Sequence, residues 1–237
     1  MRAYRPDPLA PGTLELLVTA AQSASTSSNL QTWSVVAVED AARRARIAGW
    51  CGGQRHIVEA PLFLAWIADL ARLQAVAEAA GLPSGALDHL ELFLVAVIDA
   101  ALAAQNAVVA AESLGLGTVY IGALRNRPEE VARELKLPPR TFAVFGLVVG
   151  WPDPAQPAAV KPRLSQAAIL HREHYSDNGL AGAITDYDHT MGAFYASQQM
   201  EPQSWTKHSL GRVAGGESIG NRARLREILG RLGFPLR

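Results

Sequence analysis

The side chains that could do chemistry in this sequence are few, and they form no recognisable acid–base or nucleophilic set. His171 and His174 are spaced as H-x-x-H without the H-E-x-x-H pattern of metalloproteases, so no metal site is predicted. Ser113 lies in ESLGL rather than G-x-S-x-G, and Cys51 is more readily a small buried residue than a nucleophile. Because no side chain is predicted to be catalytic, a cofactor would have to carry the chemistry.

Two loops place polar groups beside flexible residues. Residues 23–32 are rich in hydroxyls; they form either a polar turn or a loop that faces a phosphate or another ligand, and composition alone favours the turn. Residues 51–56 (CGGQRH) are a loop hinged by two glycines. Gly115 and Gly117 begin like a dinucleotide fingerprint, but they follow a helix and precede a strand, which is the wrong order. The sequence also lacks a P-loop motif.

Composition limits the class of protein. The chain has 237 residues, and its 22 Lys and Arg balance its 22 Asp and Glu, so no basic field predicts nucleic-acid binding. A single cysteine, Cys51, excludes a disulfide framework and favours an intracellular setting. The first residues, MRAYRPDPLAPG, lack the apolar core of a signal peptide. We therefore expect a cytoplasmic protein.

A long apolar helix is predicted from about residue 88, ending at Gly115, which suits a left-handed cap. Its length would allow a membrane span, but Asp99 lies near its middle, and its residues are mostly Ala and Val. No flanking Lys or Arg cluster would set an orientation in a bilayer. We expect a buried core helix and no membrane association.

This helix has an internal pattern. Asp99, Asn106 and Ser113 are spaced by seven and form a thin polar line. A seam of small residues would let another helix approach closely, and that helix could come from a second subunit. The seam consists of Ala96, Ala100, Ala103, Ala107 and Ala110.

The remaining pattern alternates helices with strands. Continuous apolar runs at residues 61–68 and 142–149 predict strands buried on both faces, and shorter strands are predicted at 33–38 and 118–122. We therefore expect an α+β or α/β three-layer sandwich.

The last part of the chain differs from the rest. Residues 151–162 are Pro-rich and end the predicted core. Beyond them no strand is predicted, and two helices are expected, at about 180–198 and 217–232. This segment has the character of a helical appendage that packs on something else.

Several segments, taken in order, carry a family resemblance: STSSNLQTW, CGGQRH, AQNAVVAAESLGLGTVYIGALRN, FAVFGLVVGWPDP, and KPRL followed by ILHREHY. The ordered set resembles the flavin-dependent nitroreductase family, within it the oxygen-insensitive NADPH nitroreductases and flavin reductases, from Arg2 to beyond Trp205. The resemblance implies an α+β three-layer sandwich with a mixed or antiparallel central sheet and a buried central helix. It implies an intertwined homodimer with one FMN in each of two interface clefts.

The same resemblance implies a division of labour along the chain. Residues 1–164 would form the FMN-binding nitroreductase core, and residues 165–237 a helical excursion that wraps the partner subunit. The central helix would pack at the two-fold axis, where its small-residue seam would meet itself.

The resemblance also assigns cofactor contacts. Lys161 and Arg163 match the Lys-Pro-Arg motif that holds the FMN phosphate, and Gln54 matches the glutamine at the pyrimidine edge of the flavin. The segment 120–123 matches the strand end over the isoalloxazine ring, and the hydroxyls of 25–28 match a loop that reaches the flavin of the other subunit. The implied cofactor-binding residues are Arg2, Ser25, Thr26, Ser27, Ser28, Gln54, Tyr120, Ile121, Gly122, Ala123, Lys161 and Arg163.

These assignments imply an FMN-dependent NAD(P)H oxidoreductase that reduces a nitroaromatic, a quinone or a flavin by ping-pong two-electron transfer. The electron donor is either NADPH or NADH. Residues 196–205 contain no arginine that would bind the 2′-phosphate of NADPH, so the sequence gives no reason to prefer NADPH over NADH. The alternative is a flavin-binding or structural homodimer with impaired turnover. It is raised because Arg2 matches the last arginine of an N-terminal His/Arg-Arg-Ser-x-Arg signature whose earlier residues would precede Met1.

Overall fold

The computed structural model of the chain describes residues 1–201 and 203–237; Pro202, within the arginine-free stretch 196–205, lies outside the described residues. The strands are β1 (Trp33–Val38), β2 (Leu62–Asp69), β3 (Gly117–Ile121) and β4 (Thr141–Gly150). The helices are α1 (Thr13–Gln22), α2 (Ala41–Trp50), α3 (His56–Glu59), α4 (Ala71–Ala80), α5 (Leu90–Ser113), α6 (Pro128–Glu134), α7 (Leu180–Ser197), α8 (Trp205–Val213) and α9 (Leu225–Arg231).

The chain divides into two compact units. Met1–Pro157 together with Arg224–Arg237 form what we call the core unit, and Ala158–Ala223 form the second unit. The sheet and α1 to α6 belong to the core unit, as does α9, and the second unit contains α7 and α8. The boundary at residue 164 that the sequence predicts stays a prediction.

The four strands form one sheet in the order β1-β2-β4-β3, and every neighbouring pair is antiparallel. This arrangement confirms the α+β class. The two central strands are the ones with continuous apolar sequence: every residue of β2 is buried, as is every residue of β4 except Phe145. A strand covered on both faces needs apolar side chains at both alternating positions, which explains the uninterrupted runs.

Alternate residues of β2 enter different hydrophobic clusters. Phe63, Ala65 and Ile67 pack in the cluster that contains buried residues of α2, α3 and α6. Leu64 and Trp66 pack on the opposite face, with buried residues of α1 and α5. The predicted three-layer sandwich is therefore confirmed, with the sheet as its middle layer.

Helix α5 is a core helix. Its length and its mean hydropathy of 2.0 over 18 residues would permit a membrane span, but half of that window is buried inside the protein. Asp99, at 1% exposure, is hydrogen-bonded within the core unit. The helix ends as predicted, with Gly115 at a φ of 75°.

The small-residue seam packs against another helix, as predicted, but that helix belongs to the same chain. Ala103 and Ala107 of the seam are fully buried beside Leu17 and Ala21 of α1, so this part of the seam packs on α1 and the sheet of its own chain. The face of α5 that is left exposed is a row of larger side chains. This row consists of Leu90, Leu94, Ile98, Leu102 and Val109.

The C-terminal helices also differ from expectation. The helix expected at 217–232 is interrupted, because Gly220 adopts a φ of 57° and a ψ of −135° inside a 3-10 segment, and only α9 remains α-helical. Helix α8 was not predicted. It begins at Ser204, whose side chain accepts a hydrogen bond from the Lys207 amide. Trp205 is half-buried against the Tyr187 ring, but Leu210 and Val213 are exposed, so α8 has no continuous apolar face that its sequence would reveal.

We predict that Gly146→Ala destabilises the fold. A Cβ at this position in β4 would lie 2.6 Å from Cε2 of Phe63, a fully buried ring that cannot move away freely. Overpacking of this kind costs about 1–3 kcal/mol. Urea unfolding would measure the loss. Gly49→Ala is the matched control, because a Cβ there in α2 meets nothing within 4 Å; equal destabilisation by the two variants would contradict the packing argument.

A second prediction concerns pH. Glu134 of α6 accepts hydrogen bonds from Arg46 (2.6 and 3.0 Å) and Arg43 (3.0 Å) of α2, and these bonds lower its pKa from 4.5 to about 2. A depressed carboxyl pKa stabilises the folded state above the unfolded value, and this contribution is lost as pH falls through the folded value. Glu134→Gln should therefore lower the melting temperature at pH 7. The difference in melting temperature between the variant and the wild type should shrink as the pH falls from about 4.5 towards 2. A difference that stays constant over this range would contradict the prediction.

Candidate functional site

The loop after α2 fixes the side chain of Gln54. Gly52 and Gly53 have φ values of 79° and 70°, in the left-handed region that L side chains rarely adopt, so this turn requires its two glycines. The Gln54 amide nitrogen donates to the carbonyl oxygen of Cys51 at 2.9 Å, which leaves its Oε1 as an acceptor. Gly53 and Gln54 line a cavity of about 430 Å³. Cys51 is 2% exposed, which favours a packing role.

Arg2 lies near this loop. Its charge acts on His56, two residues after Gln54: burial and then the Arg2 charge lower the pKa of His56, while Glu59 opposes them. The Nε2 atom of His56 is buried and has no hydrogen-bond partner among the described residues. Arg2, at the start of the chain, therefore interacts electrostatically with the short helix that follows the Gln54 loop.

The end of β3 places the aromatic ring of Tyr120 close to Gly122, which has no side chain. Tyr120 is 41% exposed; its ring meets Phe145 edge to face at 5.1 Å, and its hydroxyl donates to Oε1 of Gln105 at 3.3 Å. Burial raises the pKa of Tyr120 to about 12, so the phenol stays protonated near neutral pH. Tyr120 and Gly122 line the same cavity, of about 390 Å³, together with Gln105 and Phe145.

The neighbouring residues of this segment differ in which of their groups a ligand could contact. Ile121 is 1% exposed and Ala123 packs against the core cluster, so only their backbones are available to a ligand. Arg125 also lines the cavity, and its Nη1 donates to the carbonyl oxygen of Val144 in β4 at 2.5 Å. A Cβ on Gly122 would lie 3.2 Å from Arg125 Nη2, so glycine leaves room for this guanidinium.

The hydroxyl-rich loop between α1 and β1 is exposed at Ser25, Ser27 and Ser28, whereas Thr26 is half-buried. Ser25 and Thr26 line a third cavity, of about 480 Å³, whose wall includes Arg72. The loop is tied to the core by Asp99. Its exposed hydroxyls on a fixed backbone favour the ligand-facing interpretation over a simple polar turn.

In the second unit, the Lys-Pro-Arg loop rests on α7. The Tyr187 hydroxyl donates to the Pro162 carbonyl oxygen at 2.8 Å, and the Lys161 Nζ lies 5.6 Å from the Tyr195 ring centroid, a cation–π distance. Arg163 Nη1 donates to the carbonyl oxygens of Lys161 and Pro162 at 3.0 and 3.2 Å. Both cations remain exposed, so each keeps donors for an anion.

Within the core unit the predicted residues are distributed over three cavities. Gln54, Tyr120 with Gly122, and the hydroxyl-rich loop line separate cavities. Lys161 and Arg163 are described with the second unit. In the part of the chain that the structure describes, no group of three or more His, Cys, Asp or Glu side chains could hold a metal ion.

Residue-type reasoning did not identify Gln105, Arg125 or Arg72 as site residues. Gln105 could have been suspected, because it is one of the few polar residues on an apolar helix. Arg72 and Arg125 give no such signal, since an isolated arginine near a strand is ordinary in sequence. Their roles depend on which carbonyl groups they meet in the fold.

The chain matches known proteins along nearly its whole length. Residues 1–151 match the Nitroreductase family, and residues 161–237 match the Nitroreductase family, C-terminal domain. The FMN reductase [NAD(P)H] of Bacillus subtilis is 38% identical over 211 residues, which cover 87% of this chain and 84% of that protein.

Solved structures agree. B. megaterium NfrA2 superimposes with a TM-score of 0.94 at 36% identity, covering 100% of this chain and 94% of that one. The NADPH:FMN oxidoreductase from Vibrio harveyi, complexed with NAD+, gives a TM-score of 0.87 at 32% identity, covering 100% of this chain and 95% of that one. With its sheet order, its buried central helix and these matches, the chain belongs to the nitroreductase family.

Proposed function

We propose that this protein is an FMN-dependent NAD(P)H oxidoreductase that reduces nitroaromatics, quinones or flavins in a ping-pong cycle. The observation that carries the proposal is membership of the nitroreductase family, matched from residue 1 to residue 237 with a gap of nine residues. When bound, FMN supplies the two-electron chemistry, taking hydride from NADPH or NADH and passing it to the acceptor. The protein then has to bind and orient the FMN and the substrates and to shield them from water, and it needs no acid–base pair of its own.

The residues present fit FMN. The ring needs an acceptor and donors at its polar edge, and Gln54 offers an Oε1 whose orientation is set by its bond to Cys51. It also needs an open, mostly apolar face, and the cavity beside Tyr120 and Gly122 is lined by Phe145 and Ala101. Ile121 and Ala123 would contribute backbone groups only.

The FMN phosphate would be held by cations. Lys161 and Arg163 are exposed on a Pro-spaced loop that α7 supports through Tyr187 and Tyr195. A guanidinium and an ammonium suit a phosphate dianion through charge-assisted hydrogen bonds. Arg2, in the core unit, would be the third cation of the proposed set. These cations would also favour an anionic reduced flavin electrostatically.

The proposed assembly is an intertwined homodimer in which Ser25, Thr26, Ser27 and Ser28 reach the FMN of the other subunit. Two observations support it. Within one chain, Ser25 and Thr26 line a cavity separate from that of Gln54. The exposed apolar row on α5 is a surface of the kind that subunit interfaces bury. The interface would use this row rather than the alanine seam.

The alternative of a flavin-binding or structural dimer with impaired turnover is not favoured, because the matched relatives are named as reductases over most of this chain. We propose either NADPH or NADH as the electron donor. The stretch 196–205 contains no arginine that would bind the 2′-phosphate of NADPH, which argues against a preference for NADPH. The similar Vibrio harveyi protein, however, is named for NADPH. A cytoplasmic location stays a prediction.

The test of the function uses purified protein reconstituted with FMN. We expect a yellow dimer that oxidises NADPH or NADH when nitrofurazone or menadione is supplied. Initial rates at several acceptor concentrations should give parallel double-reciprocal lines, the signature of a ping-pong cycle. A colourless protein that is inactive at saturating FMN would overturn the proposal, and intersecting lines would overturn its kinetic scheme.

A prediction follows for the phosphate contacts. Lys161→Ala and Arg163→Ala should each raise the FMN dissociation constant about tenfold or more, since a hydrogen bond to a charged group contributes roughly 1.5–3 kcal/mol. Quenching of flavin fluorescence on titration would measure this change. Lys207→Ala, an exposed cation of the same unit outside the motif, is the control and should leave the constant unchanged. An equal effect of all three variants would indicate a general charge effect instead.

A further inference from the structure

The hydroxyl-rich loop has an unusual backbone conformation. Ser28, Asn29 and Gln31 have φ values of 48°, 56° and 52°, so three residues other than glycine occupy the left-handed region within four positions. This region is sparsely populated by such residues, and it persists only where the surroundings impose it. The groups that impose it are therefore part of the design of the loop.

Asp99 is the central one of these groups. It projects from the middle of α5 and is 1% exposed. Its Oδ1 accepts from the Ser27 amide at 3.2 Å, and its Oδ2 accepts from the amide and the hydroxyl of Thr32 at 3.0 and 2.9 Å. One carboxylate thus bonds to both ends of the left-handed segment.

A second brace acts from the solvent side. Arg72 donates to the carbonyl oxygens of Gln31 and Trp33 at 2.8 and 3.2 Å. Asp69 in turn accepts from the Arg72 amide at 3.2 Å and from the Ser34 hydroxyl at 2.6 Å. This brace reaches only the end of the loop. At the Ser27 end the loop has contacts of its own, in which the Gln31 amide donates to the Thr26 hydroxyl at 3.3 Å and the Leu30 amide donates to the Ser27 carbonyl oxygen at 2.9 Å. Asp99 is the group that ties this end to the buried helix.

We propose that Asp99 is a positioning residue of the flavin site: it holds the loop in the conformation that presents Ser25, Thr26, Ser27 and Ser28 to FMN. The inference rests on the proposed function and adds to it a residue on a buried helix. Asp99 touches no ligand. A loop that is already ordered does not have to lose its freedom when the ligand binds, and the affinity is higher for that reason.

A carboxylate suits this role better than its amide. Both Asp99 oxygens accept from backbone N–H groups, on opposite sides. In Asp99→Asn, one of these sides would carry an NH₂ group facing another donor. The loop should then populate its presented conformation only in part, and the apparent FMN dissociation constant rises in inverse proportion to that fraction.

The experiment compares Asp99→Asn with Asn106→Ala in the full chain. Asn106 lies seven residues further along the same helix, and it also anchors the preceding segment, donating to the Ala20 carbonyl oxygen and the Ser23 hydroxyl at 3.3 and 3.4 Å. A merely structural role for Asp99 would make the two variants alike. FMN affinity, melting temperature, and hydrogen exchange of the Ser27 and Thr32 amides are measured for each.

We expect Asp99→Asn to raise the FMN dissociation constant about tenfold, corresponding to a loop presented about a tenth of the time. Exchange at Ser27 and Thr32 should accelerate before FMN is added. Asn106→Ala should lower the melting temperature while leaving the FMN constant within about twofold of wild type.

Thr32→Val covers the case in which Asp99→Asn does not fold, because it removes only the hydroxyl that donates to Asp99. It should weaken FMN binding in the same direction, to a smaller extent. Unchanged FMN affinity in a folded Asp99→Asn, or in Thr32→Val if the former does not fold, overturns the inference alone. Wild-type protein that takes up no FMN overturns the proposed function and the inference together.

Discussion

The alanine seam of α5 sets how closely the layers of the core unit approach one another. Ala103 and Ala107 of this seam are fully buried against α1 and the sheet, so α5 packs closely against the helix that precedes the hydroxyl-rich loop. A short carboxylate can therefore span the gap from Asp99 to the backbone of Ser27 and Thr32. With Leu in place of these alanines, the helix would stand further away and Asp99 would not reach. Close packing in the core and order in an exposed loop thus have the same cause.

The proposed site uses loops that are each fixed by a different device. Two left-handed glycines shape the Gln54 loop, a guanidinium fastens the turn after β3 to β4, and tyrosines of α7 support the Lys-Pro-Arg loop. In the last two cases a side chain donates to a backbone carbonyl oxygen. Backbone acceptors hold a loop in place while leaving its own side chains available to a ligand, which suits a protein whose reactive chemistry belongs to a cofactor.

Sequence patterns predicted the elements whose burial is extreme. The runs at 61–68 and 142–149 were located within one residue, because a strand covered on both faces has no other composition. The same reasoning failed for α8, which has no buried apolar face, and for residues 217–224, where Gly220 interrupts an otherwise helical pattern. The seam was expected to pack against another helix, and it does, but its spacing did not show that this helix is α1 of the same chain. Spacing shows which residues share a face and not what covers them. For the site, family resemblance supplied the residues, but their separation into different cavities required the topology.

The burial of Cys51 has a practical consequence for work on this protein. The sequence contains one cysteine, and it is 2% exposed in the folded core. A thiol reagent therefore has no ready target on the native protein, and its reaction with the wild type would report opening of the core. A cysteine introduced at an exposed position would be a uniquely addressable point for a spin label or a fluorophore.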